Sequence, residues 1–108
     1  MAREAAQETF AAAWSDGGAV IDVREPDEFA AGHVPGARLM PLRTVVTHCG
    51  ELPVDQPVYV ICASGTRSRT AADLMISLGI DAYSVAGGTA AWVRSGRPLA
   101  VGSHRPAA

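Results

Sequence analysis

The chain has 108 residues, of which 48% are hydrophobic and 19% charged, with a formal net charge of −2. That length holds one domain with a single modest core, and that balance excludes a disordered chain. No apolar run approaches a membrane span, and the basic residues, all Arg, are scattered rather than striped, so neither a membrane nor nucleic acid is an expected partner.

The N-terminal MAREAAQETFAAAW interleaves charge with apolar residues and lacks a signal-peptide core, so a cytoplasmic chain is expected. Residues Glu4 to Ser15 read as a helix, with Ala6, Phe10, Ala13 and Trp14 on one face and Asp16-Gly17-Gly18 as its stop. Ala19 to Val23 reads as a buried parallel strand. Pro26 to Ala31 reads as a short helix, and Gly32-His33-Val34-Pro35-Gly36 as a loop. Ala37 to Met40 fits another strand, and Pro41 to Gly50 fits a short helix with a turn. Val58 to Cys62, VYVIC, is the clearest strand. The helix that follows carries Ala71, Leu74, Met75 and Leu78 as one apolar stripe and closes at Gly79. Asp81 to Ala86 is a further strand, Gly87-Gly88 a turn, and Thr89 to Ser95 a helix carrying Trp92 and stopped by Gly96-Arg97-Pro98. Strands alternating with helices predict an α/β domain over residues 1–100, with a largely parallel sheet, and a flexible tail over residues 101–108.

In such sheets ligands sit beyond the carboxyl ends of strands, which points to the end of VYVIC. Cys62 leaves that strand into Ala63-Ser64-Gly65-Thr66-Arg67-Ser68, and a helix follows. Small residues let successive N–H groups turn toward one point, the helix adds its N-terminal partial charge, and Arg67 adds a full one. These features favour a thiolate at Cys62, which is the nucleophilic form of cysteine. The plainer reading of Cys62 is a small buried hydrophobe. Cys49 has no comparable surroundings and reads as incidental, and two free thiols are expected rather than a bridge. No metal or other cofactor is expected: His33, His48, Cys49, Cys62 and His104 show no ligand spacing, and Gly87-Gly88 no dinucleotide pattern. His33 reads as a hydrogen-bonding loop residue, and Asp22 with Arg24 as a local ion pair or cap.

Three segments in order carry a family resemblance: Ile21-Asp22-Val23-Arg24-Glu25 with Glu28-Phe29 and Gly32-His33-Val34-Pro35-Gly36-Ala37; then Cys62 to Ser68; then Gly87-Gly88, Trp92 and Gly96-Arg97-Pro98. Over about residues 19 to 99 the sequence resembles the rhodanese family of sulfurtransferases. The resemblance implies a three-layer α/β domain with a mainly parallel sheet of about five strands. It implies that Cys62 carries sulfur as a persulfide from a donor, such as thiosulfate or a persulfide, to a thiophilic acceptor, which can itself be a protein. It makes Ala63, Ser64, Gly65, Thr66, Arg67 and Ser68 the substrate-binding loop, and places Asp22, Arg24 and His33 in the framework.

The chain departs from the family in two places. Relatives often carry Arg directly after the cysteine, where this chain has Ala63, so a weak thiosulfate KM and a preference for a less anionic donor are expected unless Arg69 or Arg38 folds over the site. Relatives often open on a short strand, where this sequence opens on a helical pattern. Two other function classes compete: a cysteine phosphatase or arsenate reductase, and a non-catalytic persulfide carrier or binding module. Four residues separate Cys62 from Arg67, one fewer than in a phosphate-binding cysteine loop, which favours sulfur transfer.

Overall fold

Short runs of β-branched and small apolar residues build one sheet, and the turns between them turn the chain back into covering helices. The computed structural model describes residues 3–103. Its strands are β1 (Glu4–Ala5), β2 (Ala19–Asp22), β3 (Arg38–Leu39), β4 (Val58–Ile61) and β5 (Ala82–Val85). The helices are α1 (Gln7–Ser15), α2 (Pro26–Ala31), α3 (Val45–His48), α4 (Thr66–Ser77) and α5 (Gly88–Arg94). All pairings are parallel, in the order β1-β5-β4-β2-β3, so β4 lies at the centre.

The two-residue period of a strand sends alternate side chains to opposite faces, and the core divides accordingly. Val58, Val60 and Cys62 join Ala71 and Met75 of α4 and Val45 of α3 on one face. Ile61 and Val20 join Phe10 of α1, Phe29 of α2 and Trp92 of α5 on the other. The result is the expected three-layer arrangement around five strands. Among the described residues no helix is long and apolar enough to cross a membrane.

Three local expectations are corrected. The N-terminal helix begins at Gln7, not Glu4, because Glu4–Ala5 extends the sheet along the free edge of β5. Ser84 N–H donates to Arg3 O at 2.8 Å and Ala86 N–H to Ala5 O at 2.9 Å. Two residues carry no strand periodicity, so only the waiting edge of β5 specifies this strand. Ala6 consequently lies outside the helix and is exposed, and Ala11 is buried beside Phe10 instead. At the far end of α4, Leu78 is 51% exposed rather than part of the stripe. The helix closes there in a Schellman motif: Gly79, at φ +90°, donates to Ile76 O, and Ile80 N–H donates to Met75 O. Ile80 is thereby folded into the core and Leu78 turned outward.

The stretch Pro41 to Gly50 resolves into a 3₁₀ turn at Leu42–Thr44, α3, and a second turn at Cys49–Glu51. Beyond α5 the chain does not leave the domain at once. His33 and Ala100 exchange both backbone hydrogen bonds at 2.8 Å, and Gly102 N–H donates to Ala30 O at 2.7 Å. Of the expected tail, residues 104–108 lie outside the described residues, His104 among them.

Candidate active site

Cys62 directly follows the central strand and is 1% exposed. The loop after it folds back over its sulfur. Gly65 takes φ +120°, a conformation closed to most side chains, and its N–H donates to Cys62 Sγ at 3.1 Å. Ser68, in the first turn of α4, places its hydroxyl 3.4 Å from the same sulfur. Beneath it the Ser68 hydroxyl meets Gly65 O at 3.1 Å and the Ser84 hydroxyl at 2.7 Å, with both serines fully buried. Burial pushes the Cys62 thiol up, but the Ser68 hydroxyl and the backbone N–H groups of Ser68, Gly65 and Ser64 outweigh it and hold the thiol below its ordinary value.

Those hydrogen bonds, rather than Arg67, dominate the lowering. Ser68→Ala is therefore expected to raise the Cys62 pKa, read as thiolate absorbance or alkylation rate against pH. An unchanged titration would show that the hydroxyl does not serve the thiolate.

Arg67 is the main surprise of the loop. Its guanidinium makes a forked pair with Glu28 of α2, at 2.7 and 2.8 Å, and so is already engaged. Glu28 also accepts the Glu25 N–H at 3.0 Å, as the acid three residues into a helix does in a capping box. The Arg67 hydrogen bonds and, after them, that backbone contact lower the Glu28 carboxyl to about 2. A depressed carboxyl pKa stabilises the fold above the unfolded value, about 4.3, and the contribution is lost as pH falls from there through about 2. Glu28→Gln is expected to flatten the acid limb of the stability curve in that window. An acid limb identical to wild type would show that the pair does not couple to folding.

Asp22 and Arg24 form the expected ion pair at the end of β2. Arg24 Nη2 lies 2.8 Å from Asp22 Oδ2 and Arg24 Nε 3.0 Å from Asp22 Oδ1, and Arg24 Nη2 also reaches Gly32 O at 2.7 Å. Both residues are buried, which ties β2 to the loop after α2. His33 Nδ1–H donates to Phe29 O at 2.7 Å, and its ring stacks on Phe29. It faces its own loop rather than the sulfur. Cys49 is buried in the core, and its nearest acceptor is Val46 O at 3.8 Å. Both cysteines are free thiols, and among the described residues no cluster of His, Cys, Asp and Glu could hold a metal.

A cleft of about 490 Å³ opens beside the loop at Ala63. Neither Arg69 nor Arg38 reaches it: Arg69 pairs with Glu4 at 3.3 Å, and Arg38 with Glu51. Arg94 of α5 lines it instead. Gly88 is the other residue that sequence reasoning under-read. It is more than a turn: a Cβ there would lie 2.6 Å from both Cys62 O and Ala63 O. Its lack of a side chain lets the start of α5 dock on the cysteine loop, where Thr89 N–H donates to Cys62 O at 2.8 Å and Ala90 N–H to Ala63 O at 3.0 Å. A double glycine between a strand and a helix was the available signal.

Comparison with known proteins agrees with this geometry. The family model for the rhodanese-like domain matches residues 5–95. A thiosulfate sulfurtransferase, GlpE, of Pseudomonas putida is 38% identical over 78 residues, 71% of this chain and 71% of the relative. The crystal structure of a rhodanese-related protein from Thermoplasma volcanium superposes with a TM-score of 0.85 at 28% identity, covering 92% of this chain and 98% of that one. A thiosulfate sulfurtransferase from Pseudomonas aeruginosa gives a TM-score of 0.86 at 26% identity, covering 96% of this chain but 21% of that one. With a family match across most of its length and a cysteine cradled at the end of the central strand, this chain belongs to the rhodanese-like domain family.

Proposed function

We propose that the protein is a sulfurtransferase in which Cys62 carries sulfane sulfur between a donor, such as thiosulfate or a persulfide, and a thiophilic acceptor. The reading rests on one observation above all: a thiol at the end of the central strand whose sulfur accepts the Gly65 N–H and lies 3.4 Å from the Ser68 hydroxyl. In the first step the Cys62 thiolate attacks the sulfane sulfur of the donor. The donor S–S bond breaks, and the leaving group departs with the electron pair, as sulfite when the donor is thiosulfate. The persulfide anion left on Cys62 keeps the negative charge that the loop N–H groups and the Ser68 hydroxyl stabilise. An acceptor nucleophile then takes the outer sulfur and restores the thiolate. No proton need move in the first step, so the step requires no histidine base at the sulfur.

A phosphatase is the weaker reading, because the arginine of the loop is held by Glu28 and a phosphate would have to compete for it. The test is turnover with thiosulfate and cyanide set beside p-nitrophenyl phosphate. Thiocyanate should form and nitrophenol should not. Nitrophenol without thiocyanate would replace this reading with the phosphatase, and sulfur uptake without turnover would replace it with a carrier.

A further inference from the structure

The cleft beside Ala63 is much larger than a thiosulfate ion needs; its size is that of sites for organic ligands. Its walls are largely apolar, from Ala31, Ala63, Ala90, Val93 and Leu99. Val93 and Leu99 are 49% and 42% exposed, an outlay of apolar surface unusual beside a site for a small dianion. The Leu99 wall is held in place: Trp92 Nε1–H donates to Pro98 O at 2.6 Å on one side, and the His33–Ala100 hydrogen bonds fix the other. Gly32 leaves the room Leu99 occupies, since a Cβ there would lie 2.7 Å from Leu99 Cδ2.

The charges of the cleft cancel, with one exception. Arg24 is met by Asp22, and Glu28 by Arg67. Arg94 also lines the cleft, and its side chain has no hydrogen bond or ion pair among the described residues. One cation unpaired among the described residues suits one anionic group, and the apolar walls suit the body that carries it.

We infer that Arg94, with Val93 and Leu99, forms a donor-selecting subsite for an organic sulfur donor that bears one carboxylate on an apolar body. The inference rests on the sulfurtransferase reading and adds the donor class to it. With an aryl thiosulfonate as donor, the Cys62 thiolate attacks the terminal sulfur, the S–S bond breaks, and the aryl sulfinate leaves with the electron pair. Charge and sulfur balance with no further reactant. The carboxylate lies away from the reacting sulfur and meets Arg94, and the ring lies against Val93 and Leu99.

The test compares benzenethiosulfonate with 4-carboxybenzenethiosulfonate, which differ only in the carboxylate. Turnover is followed by sulfinate release with cyanide as acceptor, and sulfur on Cys62 by intact mass. In the wild type kcat/KM should favour the carboxylated donor by about five- to tenfold at low salt, and the advantage should shrink as salt rises. Arg94→Gln should remove most of that advantage, and Arg94→Lys should restore part of it. Leu99→Asn should weaken both aryl donors relative to thiosulfate. Equal kcat/KM for the two aryl donors in the wild type, or a ratio untouched by Arg94→Gln, overturns the inference while sulfur still reaches Cys62. If no donor of any kind adds sulfur to Cys62, the sulfurtransferase reading itself has failed.

Discussion

Cys62→Ser is expected to leave no measurable sulfur transfer, whereas Cys49→Ser should keep most of it. The substitution at position 62 is nearly isosteric, and the loop would still offer the Gly65 N–H and the Ser68 hydroxyl to the new oxygen. A serine hydroxyl is not ionised near neutral pH, and it cannot hold a transferable sulfur in the same bond. The loss is therefore one of chemistry, and the fold should survive it. Cys49 is enclosed in the core, with Val46 O 3.8 Å from its sulfur. Its serine variant should lose some stability, about 1–3 kcal/mol for a buried hydroxyl without a good partner, and little activity. Thiocyanate production by the two variants, with circular dichroism to confirm folding, checks this. An active Cys62→Ser or a folded but dead Cys49→Ser would contradict the site.

The second large effect belongs to Gly88→Ala. A methyl group there meets two backbone carbonyl oxygens, which no rotamer change can move aside, and the residue holds φ +59°. Overpacking and left-handed strain each cost about 1–3 kcal/mol, so a loss of roughly 3 kcal/mol or more is expected. The same shift would push the start of α5 off Cys62 O and Ala63 O and so disturb the loop that holds the sulfur. Gly79→Ala is the matched control. Gly79 has φ +90° but nothing within 4 Å of its would-be Cβ, so it should lose only about 1 kcal/mol. Denaturant midpoints of the two variants separate the clash from the strain. Equal losses would show that the close approach at Gly88 contributes nothing.

Consecutive residues made the cysteine loop readable. A continuous apolar strand, a thiol at its end, a glycine and a helix start all lie within Val58 to Ser68, and local backbone chemistry specifies their arrangement. The alternation of elements likewise disclosed an α/β domain with a largely parallel sheet, and the family resemblance implied the layering. What stayed hidden was set across the chain. Arg67 looks like a free cation in sequence, yet it meets Glu28, 39 residues away. Pairing of Glu4–Ala5 depends on an edge that β5 provides only once the sheet exists. Arg94 looks like a routine charge near a helix end, and only the packing of α5 against the loops after β2 and β4 makes it a cleft residue. Leu78 keeps the helical spacing, but it is the cap residue of α4, and the closure at Gly79 turns it outward while Ile80 folds into the core.

Intact mass spectrometry of the wild-type protein before and after thiosulfate, followed by peptide mapping and cyanide treatment, tests the central claim most directly. The account predicts a gain of one sulfur atom, mapped to the peptide containing Cys62, absent in Cys62→Ser and removed by cyanide with release of thiocyanate. Sulfur found on Cys49, or no sulfur gained from thiosulfate or from any organic donor, would contradict it.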